Sequence, residues 1–89
     1  MSTYLVSYDL SEPDRDYDKL ISFLKSHPYH AHVLESVWCV GSSLTVVGLR
    51  DRIMSLIDAN DHLIVVEMGL SSAWFNLQPN VSNWLKNSA

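Results

Sequence analysis

The order of hydrophobic patterns constrains this chain more than any other feature. Strand-like runs alternate with segments of helical period, and 89 residues leave room for one core only. Residues 3–9 read as a first strand, rich in Tyr, Leu and Val, that runs directly into Asp9. Leu10-Ser11-Glu12-Pro13 is a loop, because Pro13 cannot donate to a sheet ladder. Tyr17, Leu20, Ile21 and Leu24 then recur at helical spacing, predicting a helix from about residue 14 to about residue 26 that Pro28 stops. His30 to Val40 reads as one long strand or a strand pair, with apolar residues on both faces. Gly41-Ser42-Ser43 follows as a turn, with Ser42 or Ser43 capping a second helix over roughly residues 44–59. Its apolar stripe is Val46, Leu49, Ile53, Leu56 and Ile57, and Asn60-Asp61 closes it. His62 to Met68 is a further strand that Gly69 ends. Ser72 to Leu77 is expected to form a short extra strand. Asn80 is then expected to cap a last helix carrying Val81, Trp84 and Leu85.

Strands separated by helices in this order predict an α+β fold, a ferredoxin-like sandwich. Two helices cover one face of an antiparallel sheet, and a short helical tail follows. Tyr4, Val6 and Tyr8 fall on one side of the first strand and Leu5 on the other. The second face is expected to stay open, and an open apolar face favours a homodimer. So does size, since a chain this short buries a modest share of its surface.

The formal net charge of -4 and a total of six Lys and Arg disfavour non-specific nucleic-acid binding, which depends on cationic contacts to phosphate. Lys19, Lys25, Arg50 and Arg52 fall on helices and could still build a local patch. Cys39 is the sole cysteine, so neither an intramolecular disulfide nor a cysteine-based metal site can form within one chain. No stretch is long or apolar enough to span a membrane, and the N-terminus lacks the regions of a signal peptide. A cytoplasmic location is the expectation.

Several motifs in sequence carry a resemblance. Tyr8-Asp9-Leu10 ends the first strand, and Asp16-Tyr17-Asp18-Lys19-Leu20 opens the first helix. Leu34-Glu35-Ser36-Val37-Trp38 supplies a Ser-Val-aromatic element. Arg50-Asp51 and Asp58-Ala59-Asn60-Asp61 precede Leu63-Ile64-Val65-Val66, and Ala73-Trp74-Phe75 and Ser82-Asn83-Trp84-Leu85-Lys86 form the tail. In this order they resemble the small ferredoxin-like CRISPR-associated endonuclease family, the second of that system's core proteins, and its stand-alone bacterial relatives. The resemblance implies a homodimer and, in active members, metal-dependent cleavage of RNA or DNA. It also implies an alternative, a spacer-acquisition scaffold that holds DNA with its nuclease activity dispensable. The chain departs from the DNA-holding members in its acidity and in lacking a long C-terminal extension of the kind that docks an integrase.

The resemblance makes Asp9 the metal ligand and the catalytic position. Two copies of Asp9 in a dimer would hold one Mg²⁺, which takes one or two carboxylates plus waters and substrate phosphate. The ion would activate water and neutralise charge on the phosphate. The opposing structural reading has Asp9 accepting backbone N–H bonds from the Leu10–Pro13 loop. Arg15, Ser36 and Ser43 are candidate nucleic-acid contacts. Glu12, Asp14, Asp16 and Asp18 read as helix N-terminal charge on a solvated face rather than a metal shell. His30 and His32 point the same way on a strand, but no third metal ligand is evident nearby. His27 sits close to both in sequence, and one of the three is also a candidate general acid or base. Trp38, Trp74 and Trp84 could stack bases, yet Trp38 reads as core or dimer interface and the other two as tail packing. Two functions stand side by side: a Mg²⁺-dependent endonuclease, and a non-catalytic dimeric binding or assembly module, with a protein or small ligand as partner.

Overall fold

The computed structural model describes residues 1–11, 17–69 and 71–88. Its elements are β1 (Ser2–Asp9), α1 (Asp18–Lys25), β2 (His30–Leu34), β3 (Val37–Ser42), α2 (Val46–Met54), β4 (His62–Glu67) and α3 (Pro79–Ser88). The four strands form one antiparallel sheet in the order β2-β3-β1-β4. Six elements in this order with these pairings are a ferredoxin-like α+β sandwich, and α3 is the helical tail.

Alternation along the strands decides where the core sits. Tyr4, Val6 and Tyr8 of β1 are buried on the helix side, beside Trp38 and Val40 of β3. Leu20 and Leu24 of α1 and Leu49 and Ile53 of α2 close over them, each fully buried. On the other face Leu5 and Cys39 lie opposite one another. Val81 and Leu85 of α3 cover them, with Trp74, Leu77 and Trp84 packed around. The second face is therefore not left open as the strand pattern predicts. The tail covers its β2–β3 half, because Val81 and Leu85 share one face of α3. The β4 half stays exposed, with Ile64 and Val66 retaining 57% and 44% of their accessible surface.

Several boundaries differ from the sequence expectation for local reasons. Of the two readings of the run from His30 to Val40, the structure has the strand pair, a hairpin that reverses at the polar pair Glu35-Ser36. A register irregularity between His32 and Leu34 marks a bulge on β2. The cap of α2 is Thr45, whose Oγ1 accepts from Gly48 N at 3.0 Å, and neither Ser42 nor Ser43. Ser42 instead lies in β3, where its Oγ accepts from Leu44 N at 3.1 Å. Leu44 stays outside α2, and its carbonyl accepts from the Tyr4 hydroxyl at 2.8 Å. The helix ends at Met54, before an Asp58 turn in which Asp58 Oδ2 accepts from Asn60 N. Val46, at the head of the expected stripe, is exposed. Ser72 to Leu77 is not a strand: Asn76 adopts a left-handed backbone (φ 60°) and Phe75 is 91% exposed. The last helix begins at Pro79, one residue before Asn80, since proline suits the first helical position. The predicted start of α1 near residue 14 and the residues Glu12, Asp14, Arg15 and Asp16 lie outside the described residues.

Candidate functional site

Asp9 is the last residue of β1 and is exposed. Because Tyr8 points to the helix side, the Asp9 side chain belongs to the opposite, half-open face. Its register partner on β4 is His62, also exposed, and antiparallel partners stand close enough to act on one bound group. Next along that face come Ser7 opposite Ile64 and Leu5 opposite Val66. A strip of exposed apolar side chains on β4 therefore adjoins Asp9.

The loop after β1 is held by Asp61, one residue before β4. Asp61 Oδ1 accepts from Ser11 N at 2.8 Å and from Ser11 Oγ at 3.0 Å. The Tyr17 hydroxyl lies 3.1 Å from both carboxylate oxygens, and Asp58 N donates to Oδ2 at 2.8 Å. Partial desolvation works to raise the Asp61 pKa. The bonds from the Ser11 and Asp58 backbones and from the Ser11 and Tyr17 hydroxyls outweigh it and bring the value down to about 2. One carboxylate thus joins the β1–α1 and α2–β4 connections. Among the described residues no donor reaches Asp9, so the loop-capping role proposed for Asp9 belongs to Asp61 instead. Asp9 is left between the last rung of the ladder and a clamped loop, with Leu10 packed against the core.

The β2–β3 hairpin reaches the same end of the sheet. Tyr8 N donates to Ser36 O at 3.1 Å, and Trp38 Nε1 donates to the Tyr8 hydroxyl at 3.1 Å. His32 stacks on Trp38 with ring centroids 4.2 Å apart and planes 10° from parallel. Ser36 therefore lies opposite Tyr8, at the same end of the sheet as Asp9. Ser43 does not: it follows Ser42, which pairs with Ser2 at the far end of β1. Arg15 lies outside the described residues.

Of the four helix cations, Arg50 is bonded to Asp51 at 2.9 Å and Arg52 lies over the Phe23 ring. Neither is offered freely to a phosphate. Cys39 is fully buried 3.4 Å from Met68 Sδ, and burial pushes its thiol up to about 11. It is a packing residue, as its apolar surroundings in sequence predict. Trp38 is core, and Trp74 and Trp84 pack the tail, with Trp74 Nε1 donating to Ser82 Oγ at 3.0 Å. No group of three or more His, Cys, Asp or Glu side chains able to hold a metal occurs among the described residues. At the end of β1 one chain thus offers one open carboxylate, Asp9, a set that suits Mg²⁺ with waters but not a closed transition-metal site.

Sequence reasoning missed His62 and Asp61 as members of this site. Their signal lies in cross-strand register, which local pattern does not carry.

Fold and site together define a ferredoxin-like α+β domain with an exposed carboxylate at the end of its first strand. A solved structure, the hypothetical protein TT1823 from Thermus thermophilus, is similar to it at TM-score 0.64 and 28% identity, over 86% of this chain and 94% of that one. No family model and no curated protein matches the chain. Among the described residues no helix is long and apolar enough to cross a membrane.

Proposed function

We propose that the protein is a homodimeric, Mg²⁺-dependent endonuclease acting on RNA or DNA in the cytoplasm, related to the small CRISPR-associated nucleases. The observation that carries this reading is the treatment of Asp9. A charged side chain ends a strand, is exposed, and receives no hydrogen bond from the described residues, while Asp61 beside it takes up the local donors. A carboxylate without structural work is available to a cation. Asp9 from each subunit would supply one hard oxygen ligand, with waters and a substrate phosphate as the remaining ligands. The ion supplies Lewis acidity and a bound water of lowered pKa. His62, across the ladder from Asp9, is the nearest imidazole by register and takes the role of proton carrier for attacking water or leaving oxygen. Ser36 offers a hydroxyl at the same end of the sheet.

The dimer follows from the neighbouring strip. Ile64 and Val66 are exposed beside Asp9 on the face that α3 leaves uncovered. A second copy packed there buries them and brings the two Asp9 carboxylates into one interface.

The acidic balance favours a second reading, a dimeric binding or assembly module without catalysis, a spacer-acquisition scaffold included. Cleavage assays separate the two. Purified wild-type protein with Mg²⁺ or Mn²⁺ cuts RNA or DNA under the first reading, and Asp9→Ala stops the cutting without unfolding the dimer. If protein free of contaminating nuclease cuts neither substrate, the binding-module reading stands in its place.

A further inference from the structure

A groove of about 530 Å³ runs around the free edge of β2, between the end of α1 and the start of α3. The endonuclease reading places no group in it. Its volume lies within the range of small-molecule sites, about 300–1,000 Å³. Lys25 supplies a cation from the last turn of α1, and His30 and His32 supply imidazoles from β2. Gln78 and Asn80 add carboxamides, and Trp84 adds an indole. Glu35 is the only acid in the lining among the described residues.

The ring nitrogens are already oriented. His30 Nδ1 lies 2.7 Å from the His27 carbonyl and His32 Nε2 lies 3.0 Å from the Glu35 carbonyl. A carbonyl only accepts, so each of these nitrogens carries the proton. His32 is exposed yet flat against Trp38, so one face of its ring is covered and the other is open. The ring is a fixed stacking platform rather than a mobile side chain. Strand addition to the β2 edge is disfavoured by the bulge at His32–Leu34 and by α3 packed against the strand.

We infer that this groove holds one nucleotide unit, its base against the open ring face of His32 on the α1 side of the β2 edge and its phosphate toward Lys25. Stacking is tolerant of base identity, and the carboxamides of Gln78 and Asn80 suit the polar edge of a base. The groove lies toward the sheet end that carries Asp9: Glu35 lines it, and the next residue, Ser36, accepts from Tyr8 N. A strand whose base sits in the groove can therefore lead its backbone toward Asp9. That last step rests on the endonuclease reading; the pocket itself does not.

The test is binding of adenosine 5′-monophosphate, adenosine and inorganic phosphate by calorimetry, in EDTA so that no metal takes part. The nucleotide is expected to bind one per chain and more tightly than either fragment. His32→Ala, an exposed position, is expected to weaken nucleotide and nucleoside by about tenfold or more. Lys25→Gln is expected to weaken the nucleotide and leave adenosine unchanged. Phosphate binding as well as the nucleotide, indifference to both substitutions, or no binding at millimolar ligand overturns the inference. Because metal is absent throughout, loss of the Asp9 metal site alone would leave the expected pattern intact.

Discussion

Asp9 and Asp61 stand at the same end of one sheet, and the fold treats them in opposite ways. Asp61 receives backbone and side-chain donors from Ser11, Tyr17 and Asp58. Asp9, whose register partner His62 directly follows Asp61, receives none from the described residues. The same side chain is structural in one place and available in the other. The difference teaches that a carboxylate's role is read from the donors around it, not from its place at a strand's end.

The largest expected effect is on activity. Under the proposed endonuclease reading Asp9→Ala removes the carboxylate that would hold the metal, and cleavage should fall by on the order of 100-fold or more. Its unfolding free energy should stay within about 0.5 kcal/mol of wild type, as for a surface position without partners. Urea melts and a cleavage time course on the same preparation check both. A large loss of stability would erase the contrast with Asp61.

Asp61→Asn should behave in reverse. It exchanges one acceptor oxygen for an NH2 donor, so either the Ser11 bonds or the Asp58 N bond is lost along with the charge, and its denaturation midpoint should fall clearly below that of Asp9→Ala. The pH dependence sharpens the point. The folded Asp61 value, about 2, lies below the ordinary value of about 3.9. Its contribution to stability is therefore complete above the unfolded value and disappears as pH falls through about 4 toward about 2. Urea midpoints between pH 6 and pH 2 should show this loss in wild type, and Asp61→Asn should remove that component of the slope.

Trp38→Phe tests the link between the hairpin and the end of β1. It leaves the Tyr8 hydroxyl without its indole donor and should cost about 1–3 kcal/mol in a urea melt. A neutral result would mean that this bond does not hold β3 to the Asp9 strand. The smallest effect belongs to Cys39. Its thiol, raised to about 11 in a fully buried position, should react with a thiol reagent only as the protein unfolds.

Much of this architecture was legible in the sequence. Apart from the expected strand at Ser72–Leu77, the alternation of periods gave the order of elements, and the pleat separated Tyr4, Val6 and Tyr8 from Leu5 without saying which side meets the helices. Asp9 stood out because a charge at a strand's end needs a reason. The cover supplied by α3 was not legible, because the apolar spacing of Val81 and Leu85 does not say which sheet face it meets. Thr45 was passed over for Ser42 and Ser43, which are equally good caps by residue type. Ser43 failed as a companion of Asp9 because β3 runs antiparallel to β1 and carries it to the other end. His62 and Asp61 became visible only with the β1–β4 register. Long-range pairing of this kind is a property of the whole sheet and leaves no local trace in the sequence around either residue.

The central claim is that Asp9, unlike Asp61, is held for a metal shared between two chains. Calorimetric titration of the dimer with Mn²⁺ tests it most directly. The account predicts one ion per two chains, lost in Asp9→Ala and retained in Asp61→Asn at a pH where both variants are folded. Retention of the ion in Asp9→Ala, or its loss only in Asp61→Asn, would contradict it.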